Sequence, residues 1–168
     1  MDGDQLRALQ APLKERYKAD PDAALITLKA AGRLGEGVSC SVETGRALAA
    51  AGLHPATGGD GTLLCSGDML LEALVACAGV TLGAVATSLG IPIASGRVHA
   101  EGDLDFRGTL GVDKTAPVGF REIRLGFELE TDADDEQLAT LLKLTERYCV
   151  VYQTISGGSA VGVTLARA

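Results

Sequence analysis

The stretch LLEALVACAGVTLGAVATSLG, Leu70 to Gly90, decides the fold of this chain, and Cys77 lies near its middle. Ser66 or Asp68 can cap the start of a helix here, and an acidic residue in the first turn suits the helix dipole. Gly90, with a proline two residues later, ends it. The stretch therefore predicts one helix of about twenty residues, roughly 30 Å long.

This helix could span a membrane or form a protein core. Its length suffices for a span, its only charge is Glu72, and Gly79 and Gly83 could pack against another helix. Against a span, there is no aromatic belt and no basic flank, and Ala, Gly, Thr and Ser dominate over Leu and Ile. We therefore expect a core helix buried on nearly every side, an arrangement that a second subunit would make easier.

Composition favours one ordinary globular domain over residues 1–168. The chain is 46% hydrophobic and 22% charged, with a net charge of −7 and no basic patch, so nucleic acid and anionic membranes are not expected partners. The first ten residues, MDGDQLRALQ, lack the basic and apolar regions of a signal peptide. We expect a cytoplasmic protein.

The pattern along the chain predicts an α+β fold with a mainly antiparallel sheet, one face of which two helices cover. Residues 43–67 read mostly as loop, with a short strand or helical turn in the middle. The other predicted elements are an N-terminal helix at about 4–19, strands over 23–34 and 37–45 joined by a hairpin turn, the apolar helix, strands over 95–108 and 120–131, a helix over 132–149 and a final strand over 160–166.

The four cysteines, Cys40, Cys65, Cys77 and Cys149, form no CxxC pair, and neither histidine, His54 or His99, stands at metal-ligand spacing from them. We therefore expect no metal site and no structural disulfide framework. Cys40 reads as core. Cys65 is a packed thiol or an alternative redox partner, and His54 reads as a loop residue rather than a base.

Two readings of Cys77 remain open on residue pattern alone. An apolar helix raises a thiol's pKa, and the start of its own helix is too distant to lower it, so Cys77 is core filling unless a cation such as an arginine reaches it. Cys149 ends the second helix, and two helices on one sheet face could bring the two thiols together. A thiol pair can reduce a peroxide through a sulfenic acid and a disulfide. Spacing does not decide whether they meet.

Two cysteine motifs resemble those of the OsmC/Ohr family. SGDMLLEALVACAGVTL resembles the family's central-helix motif, and ERYCVVYQTISGG resembles its second cysteine motif. GDLDFRGTLG and VGFREIRLGFELETDADDEQL stand where the family has strands and the start of its second helix. The resemblance runs from about residue 24 to the end of the sequence.

The resemblance implies an intertwined homodimer, with sheets wrapped around two helices, that reduces organic hydroperoxides without a cofactor. Cys77 matches the peroxidatic position and Cys149 the resolving position, and an external dithiol would reduce their disulfide. The activating arginine is matched loosely by Arg33 in GRLGEG, with Arg46 as the second choice. Tyr148 and Tyr152, which flank Cys149, would line an apolar substrate pocket or simply pack.

Two departures from the family pattern indicate a divergent branch. Gly67 stands where the hydroperoxide-reducing branches have a glutamate that orients the arginine, and Asp68 either replaces that glutamate or only caps the helix. Val150 stands where the second motif usually has proline. The missing glutamate supports an alternative function, a non-catalytic protein of the same fold that binds a small apolar ligand at the dimer interface.

Overall fold

The computed structural model describes residues 31–34, 39–43, 48–111 and 113–167, with a few positions between residues 2 and 19. Most of the predicted N-terminal helix over 4–19 and the first part of the predicted strand over 23–34 lie outside the described residues. Positions 3–5, 8, 10, 11 and 19 of the N-terminal stretch are described, and all of them are helical.

The first sheet is built from the chain before the apolar helix. It contains β1 (Ala31–Leu34), β2 (Ser39–Glu43), β3 (Leu48–Gly52) and β4 (Leu64–Cys65), in that order. The predicted hairpin is confirmed, since β1 and β2 pair antiparallel. The region predicted as mostly loop contains β3, which pairs with β2 antiparallel and with β4 in parallel, and a short 3-10 turn at Pro55–Thr57.

The apolar stretch forms α1 (Ser66–Leu89), 24 residues long and so slightly longer than predicted. The predicted caps Ser66 and Asp68 are wrong. Cys65 is the N-cap, without a side-chain cap hydrogen bond, and Asp68 is an acidic residue of the first turn. Gly90 ends the helix as predicted, because its φ of +70° suits glycine and its N–H bonds back to the last turn.

The second sheet is an antiparallel pair, β5 (Ser95–Leu104) and β6 (Phe120–Glu130). The predicted inward row of β6 is confirmed as its less exposed side, consisting of Ile123, Leu125, Phe127 and Leu129. Phe106 was predicted inside the first of these strands and is instead the first residue of a one-turn helix, α2 (Phe106–Thr109), because the Asp105 carboxylate caps the Arg107 N–H.

Two helices follow β6. The first, α3 (Asp135–Tyr148), begins with a capping box between Asp134 and Gln137. The second, α4 (Val150–Gly157), was not predicted. The predicted strand over 160–166 is wrong for this chain, since residues 159–167 are neither helix nor strand. Their alternating apolar residues are exposed, with Val163 89% and Leu165 98% accessible.

The core lies between α1, α3 and the second sheet. Leu82, Val85, Ala86, Ile91 and Leu141 form its buried cluster. Within a single described chain, α1 is buried along one stripe and exposed on the opposite side, Val80 by 76%, so the expected burial on nearly every side, with help from a second subunit, stays a prediction. By length and composition, α1 is the one helix in the described part that could cross a membrane. Here it packs against β5, α3 and α4, as a core helix does.

Candidate active site

The fold brings Cys77 and Cys149 together. Cys77 is on the fourth turn of α1, and Cys149 links α3 to α4, both of which pack against α1. The two thiols lie close enough for each to shift the pKa of the other. Both thiols are free; Cys77 is partly exposed and Cys149 is buried. A partly exposed thiol beside a buried one is an arrangement that can cycle between dithiol and disulfide.

Hydrogen bonds stabilise the Cys77 thiolate. Burial raises the pKa of Cys77, but hydrogen-bond donors outweigh it and bring the pKa below its ordinary value. These donors are, from the largest effect to the smallest, the backbone of Val151, the Cys149 thiol, the backbone of Val150 and the Thr81 hydroxyl. Cys77 is therefore the thiol of the pair that loses its proton more readily.

Cys149 has the opposite environment. It is 1% accessible, and burial raises the pKa of its thiol. The neighbouring Cys77 raises that pKa further, because Cys149 donates its hydrogen to the Cys77 sulfur and the charge on Cys77 opposes a second charge. The Tyr152 N–H, 3.5 Å from Cys149 Sγ, acts in the other direction. Cys149 therefore stays a protonated thiol beside a more acidic one.

The start of α4 supplies two of these four donors, Val150 and Val151, and the sequence pattern did not predict this helix. Cys149 is the N-cap of α4, and its sulfur accepts the Tyr152 N–H of the first turn. The β-branched residues Val150, Val151, Thr154 and Ile155 favour a strand and hide the helix. The available signal was the Gly157–Gly158 pair, of which Gly158 ends the helix with a φ of +63°.

The two candidate arginines lie in the least described part of the chain. Arg33 is on β1 opposite Ser41, in the hairpin expected to carry the activating cation. Its side chain and the whole of Arg46 are outside the described residues. Their contact with Cys77 stays a prediction.

Asp68 lies away from Cys77. The nine positions between them are about two and a half turns, so the two side chains leave α1 on opposite sides, about 13 Å apart along the axis. Asp68 lines a separate cavity of about 160 Å³ with His54 and Cys65. A side chain added at Gly67 would meet Cys65, Leu104 and Phe120 at 3.5–3.6 Å. This end of α1 therefore faces the second sheet and the His54 loop.

His54 holds its own loop together. Its Nδ1 accepts the Ala56 N–H at 3.0 Å, and its ring stacks on Phe106 with the centroids 5.0 Å apart. Among the described residues, no three His, Cys, Asp or Glu side chains converge to hold a metal ion.

The two tyrosines lie in different surroundings. Tyr152, with Cys149, Thr145 and Ala78, lines a cavity of about 220 Å³, whose other walls include Leu125, Phe127 and Leu142. Tyr148 is 60% exposed and carries the Arg147 guanidinium 5.7 Å above its ring. Of the two, only Tyr152 is placed beside a candidate thiol.

This fold, in which a thiol pair lies between α1 and the two helices α3 and α4, matches a known protein family. Residues 59–164 match the family model described as OsmC-like protein. Because that match spans more than half of the chain, this chain belongs to the OsmC-like protein family.

Solved structures agree with this assignment. An OsmC-like protein from Mycoplasma pneumoniae is 20% identical, with a TM-score of 0.65 over 79% of this chain and 89% of that one. An organic hydroperoxide resistance protein from Legionella pneumophila is 18% identical, with a TM-score of 0.62 over 79% and 91%. The organic hydroperoxide resistance protein OhrB of Bacillus subtilis is 21% identical, with a TM-score of 0.53 over 79% and 93%. No curated protein matches the chain by sequence. At these identities the likeness establishes the fold.

Proposed function

We propose that this protein is a thiol-dependent peroxidase that reduces hydroperoxides in oxidative-stress defence in the cytoplasm. The observation that carries the proposal is the contact between Cys77 and Cys149, with a lowered pKa on the partly exposed thiol and a raised one on the buried thiol. A nucleophile and a resolving thiol need this division of roles. The names of the Legionella and Bacillus structures, both organic hydroperoxide resistance proteins, support the choice of substrate class.

The reaction proceeds in three balanced steps. The Cys77 thiolate attacks one peroxide oxygen; the O–O bond breaks, Cys77 becomes a sulfenic acid, and the alkoxide takes a proton and leaves as an alcohol. The Cys149 thiol then attacks the Cys77 sulfur and water leaves as the disulfide forms. An external dithiol reduces that disulfide by two thiol exchanges and is itself oxidised. No cofactor takes part in these steps.

Arg33 is our candidate for the activating cation, with Arg46 as the second choice. A guanidinium keeps its charge at every working pH and could pair with the thiolate while donating to a peroxide oxygen. Tyr152 would contact the alkyl part of the substrate from the cavity beside Cys149, and Tyr148 would do so only from the surface. We assign Asp68 to the start of α1, since it faces away from Cys77.

The deciding experiment adds one equivalent of tert-butyl hydroperoxide to the reduced protein and follows free thiols and intact mass. The wild type should lose two thiols and two hydrogens. The Cys149→Ser variant should lose one thiol and hold a sulfenic acid that dimedone traps on Cys77. Cys65→Ser is the matched control and should behave as the wild type. An unchanged thiol count, or peroxide consumption by Cys77→Ser at the wild-type rate, would overturn the proposal.

We also propose that the protein is a homodimer. The exposed side of α1 is apolar, with Val80 76% accessible, and exposed apolar residues recur at Val150 and along 159–167. Apolar surface of this extent marks a protein interface.

The dimer proposal is tested by light scattering after size exclusion. Val80→Arg, on the exposed side of α1, should give a monomer because it places a charge in the proposed interface. Val118→Arg is the matched control, since Val118 is 65% accessible but lies in the loop before β6. A Val80→Arg variant that stays dimeric would remove α1 from the interface.

One observation favours the alternative of a non-catalytic binding protein. An apolar cavity of about 310 Å³ lies between α3 and β6, lined by Leu82, Leu125, Phe127, Leu129, Thr131, Leu138, Leu141 and Leu142. Its size suits a small apolar ligand. Co-purification of such a ligand, together with thiols that ignore the peroxide pulse, would favour this function over the peroxidase.

A further inference from the structure

Cys149 has a structural role besides its part in the proposed reaction, because its sulfur caps α4. A helix leaves its first N–H groups without partners inside the helix, and an acceptor side chain at the N-cap satisfies one of them. In α4 this acceptor is Cys149 Sγ, which receives the N–H of Tyr152, the third residue of the helix, at 3.5 Å. The start of α4 therefore depends on where the Cys149 sulfur lies.

The helix α4 depends on this cap because little else holds it. It is eight residues long, and none of its residues is buried. Helices of this length are marginal by themselves in water, and segments with few buried contacts are the ones that open locally. Beyond its own turns, α4 packs on α1 and α3, and Gln153 Nε2 donates a hydrogen bond of 2.9 Å to the Glu146 carbonyl. Loss of the cap should therefore open α4 locally.

The disulfide of the proposed cycle and the cap compete for the same sulfur. Both thiols are free in this structure, and an S–S bond of about 2.0 Å is much shorter than any contact between unbonded sulfurs. Cys77 is held in the middle of the long helix α1, whereas Cys149 lies between two helices. Cys149 is therefore the residue that moves when the bond forms, and its sulfur leaves the Tyr152 N–H.

We propose that formation of the Cys77–Cys149 disulfide uncaps α4, and that the opened helix admits the external dithiol to the Cys149 sulfur. The inference rests on the proposed function and deepens it. In the closed structure Cys149 is 1% accessible, and Tyr152 of α4 lines the cavity beside it. The opening of α4 removes this cover only in the oxidised protein, which is the state that needs a reductant.

Reduction then follows a defined order. One thiolate of the dithiol attacks the Cys149 sulfur, the S–S bond breaks, and Cys77 leaves as a thiolate. The second thiol of the reductant attacks the reductant's own sulfur in the mixed disulfide, so the reductant becomes a disulfide and Cys149 a thiol again. The lowered pKa of Cys77 makes it the better leaving group of the pair. Cys149 is then free to cap α4.

Amide hydrogen exchange of α4, followed by mass, tests the switch without peroxide. Diamide, a thiol oxidant, pairs the two cysteines of the wild type and should speed exchange over α4 by about fivefold, the effect of one lost N-cap. Cys77→Ser treated with diamide is the matched control and should exchange as the reduced wild type does. Equal α4 exchange in the reduced and oxidised wild type, or thiols that diamide leaves unpaired, would overturn the proposal.

Two reduced variants test the cap by itself. Cys149→Ala has no acceptor at the N-cap and should show the fast α4 exchange of the oxidised protein. Cys149→Ser keeps an acceptor there and should not. The strands β5 and β6 are the internal reference for changes elsewhere in the fold. Equal α4 exchange in these two variants would remove the cap from the explanation.

The point of attack is determined from the mixed disulfide. Oxidised protein is treated with glutathione and quenched in acid, and the modified cysteine peptide is identified by mass. The adduct should lie on Cys149, and an adduct on Cys77 would contradict entry through α4. Because diamide forms the disulfide, an α4 that opens in a protein inert to hydroperoxide would refute only the peroxidase. An α4 that stays closed in an active peroxidase would refute only the switch.

Discussion

Cys77 and Cys149 have the same thiol group and lie in contact, yet their surroundings shift their pKa values in opposite directions. Cys77 is partly exposed and its pKa is lowered, whereas Cys149 is buried and its pKa is raised. The difference arises from a single helix end. The Cys149 sulfur caps α4 by accepting the Tyr152 N–H, whereas Cys77 lies on α1, and the backbone of Val151 and Val150 at the start of α4 lowers its pKa.

This comparison teaches that burial alone does not decide the reactivity of a thiol. Burial raises the pKa of both cysteines and has the largest single effect on each. What separates their pKa values is what opposes burial, since the backbone of Val151 and the Cys149 thiol lower the pKa of Cys77, whereas Cys77 raises the pKa of Cys149. Cys77 is the better nucleophile of the two because Cys149 stays protonated and acts as its hydrogen-bond donor.

Selective alkylation should give the largest contrast. At pH 7, with reductant, iodoacetamide should modify Cys77 at least about tenfold faster than Cys149, because only Cys77 combines exposure with a lowered pKa. The measurement is peptide mass against time. In Cys149→Ser the Cys77 reaction should persist, since the backbone donors remain. Equal rates at Cys77 and Cys149 would erase the distinction between them.

Much of the fold could be predicted because the pattern is local. The apolar run predicted α1, and Gly90 predicted the end of that helix. The alternation of apolar and polar residues predicted β5, β6 and the inward row from Ile123 to Leu129. The prediction of the final strand is wrong because an alternating pattern indicates only which residues tend to be buried. A strand also needs a neighbouring strand to pair with. The described chain leaves 159–167 without one.

Of the candidate site, the pair of cysteines could be predicted from sequence motifs, whereas the helix that begins after Cys149 could not. The two cysteine motifs indicated Cys77 and Cys149, and the structure brings them into contact. The activating group was expected to be a side-chain cation, because backbone N–H groups leave no mark in a sequence. The β-branched run after Cys149 also concealed α4, whose tertiary packing overrides a strand propensity.

The free energies of unfolding of the two cysteine-to-serine variants should also differ. Cys149→Ser should lower the free energy of unfolding by about 1–3 kcal/mol, because it places a hydroxyl in a site that is 1% accessible. Cys77→Ser should cost less than about 1 kcal/mol, since its partly exposed oxygen can still accept the α4 donors. Urea unfolding at pH 7 with reductant measures both, and Cys65→Ser is the control. A larger loss for Cys77→Ser would contradict the assigned environments.

The pH dependence of stability should have opposite signs in the two single-thiol variants. In Cys149→Ser, the remaining Cys77 has a lowered folded pKa, so the unfolded chain binds more protons and stability rises as pH approaches the ordinary thiol range. In Cys77→Ser, the raised pKa of Cys149 makes stability fall as pH passes that range. Each slope stays below about 1.4 kcal/mol per pH unit.

Urea midpoints between pH 7 and 10 measure these slopes. The two variants share every other titratable group, so the difference between their curves belongs to the pair itself. Parallel curves would mean that Cys77 and Cys149 have equivalent surroundings.

Of these substitutions, Asp68→Asn should have the smallest effect, because Asp68 lies outside the thiol site. Asp68 is exposed in the first turn of α1, where a carboxylate stabilises the helix dipole by about 0.3–1 kcal/mol. Its substitution should therefore cost stability in that range and leave the Cys77 alkylation midpoint unchanged, because the two side chains leave the helix on opposite sides. Urea unfolding and the alkylation profile measure the two effects. A raised midpoint would mean that Asp68 acts on Cys77 through a cation after all.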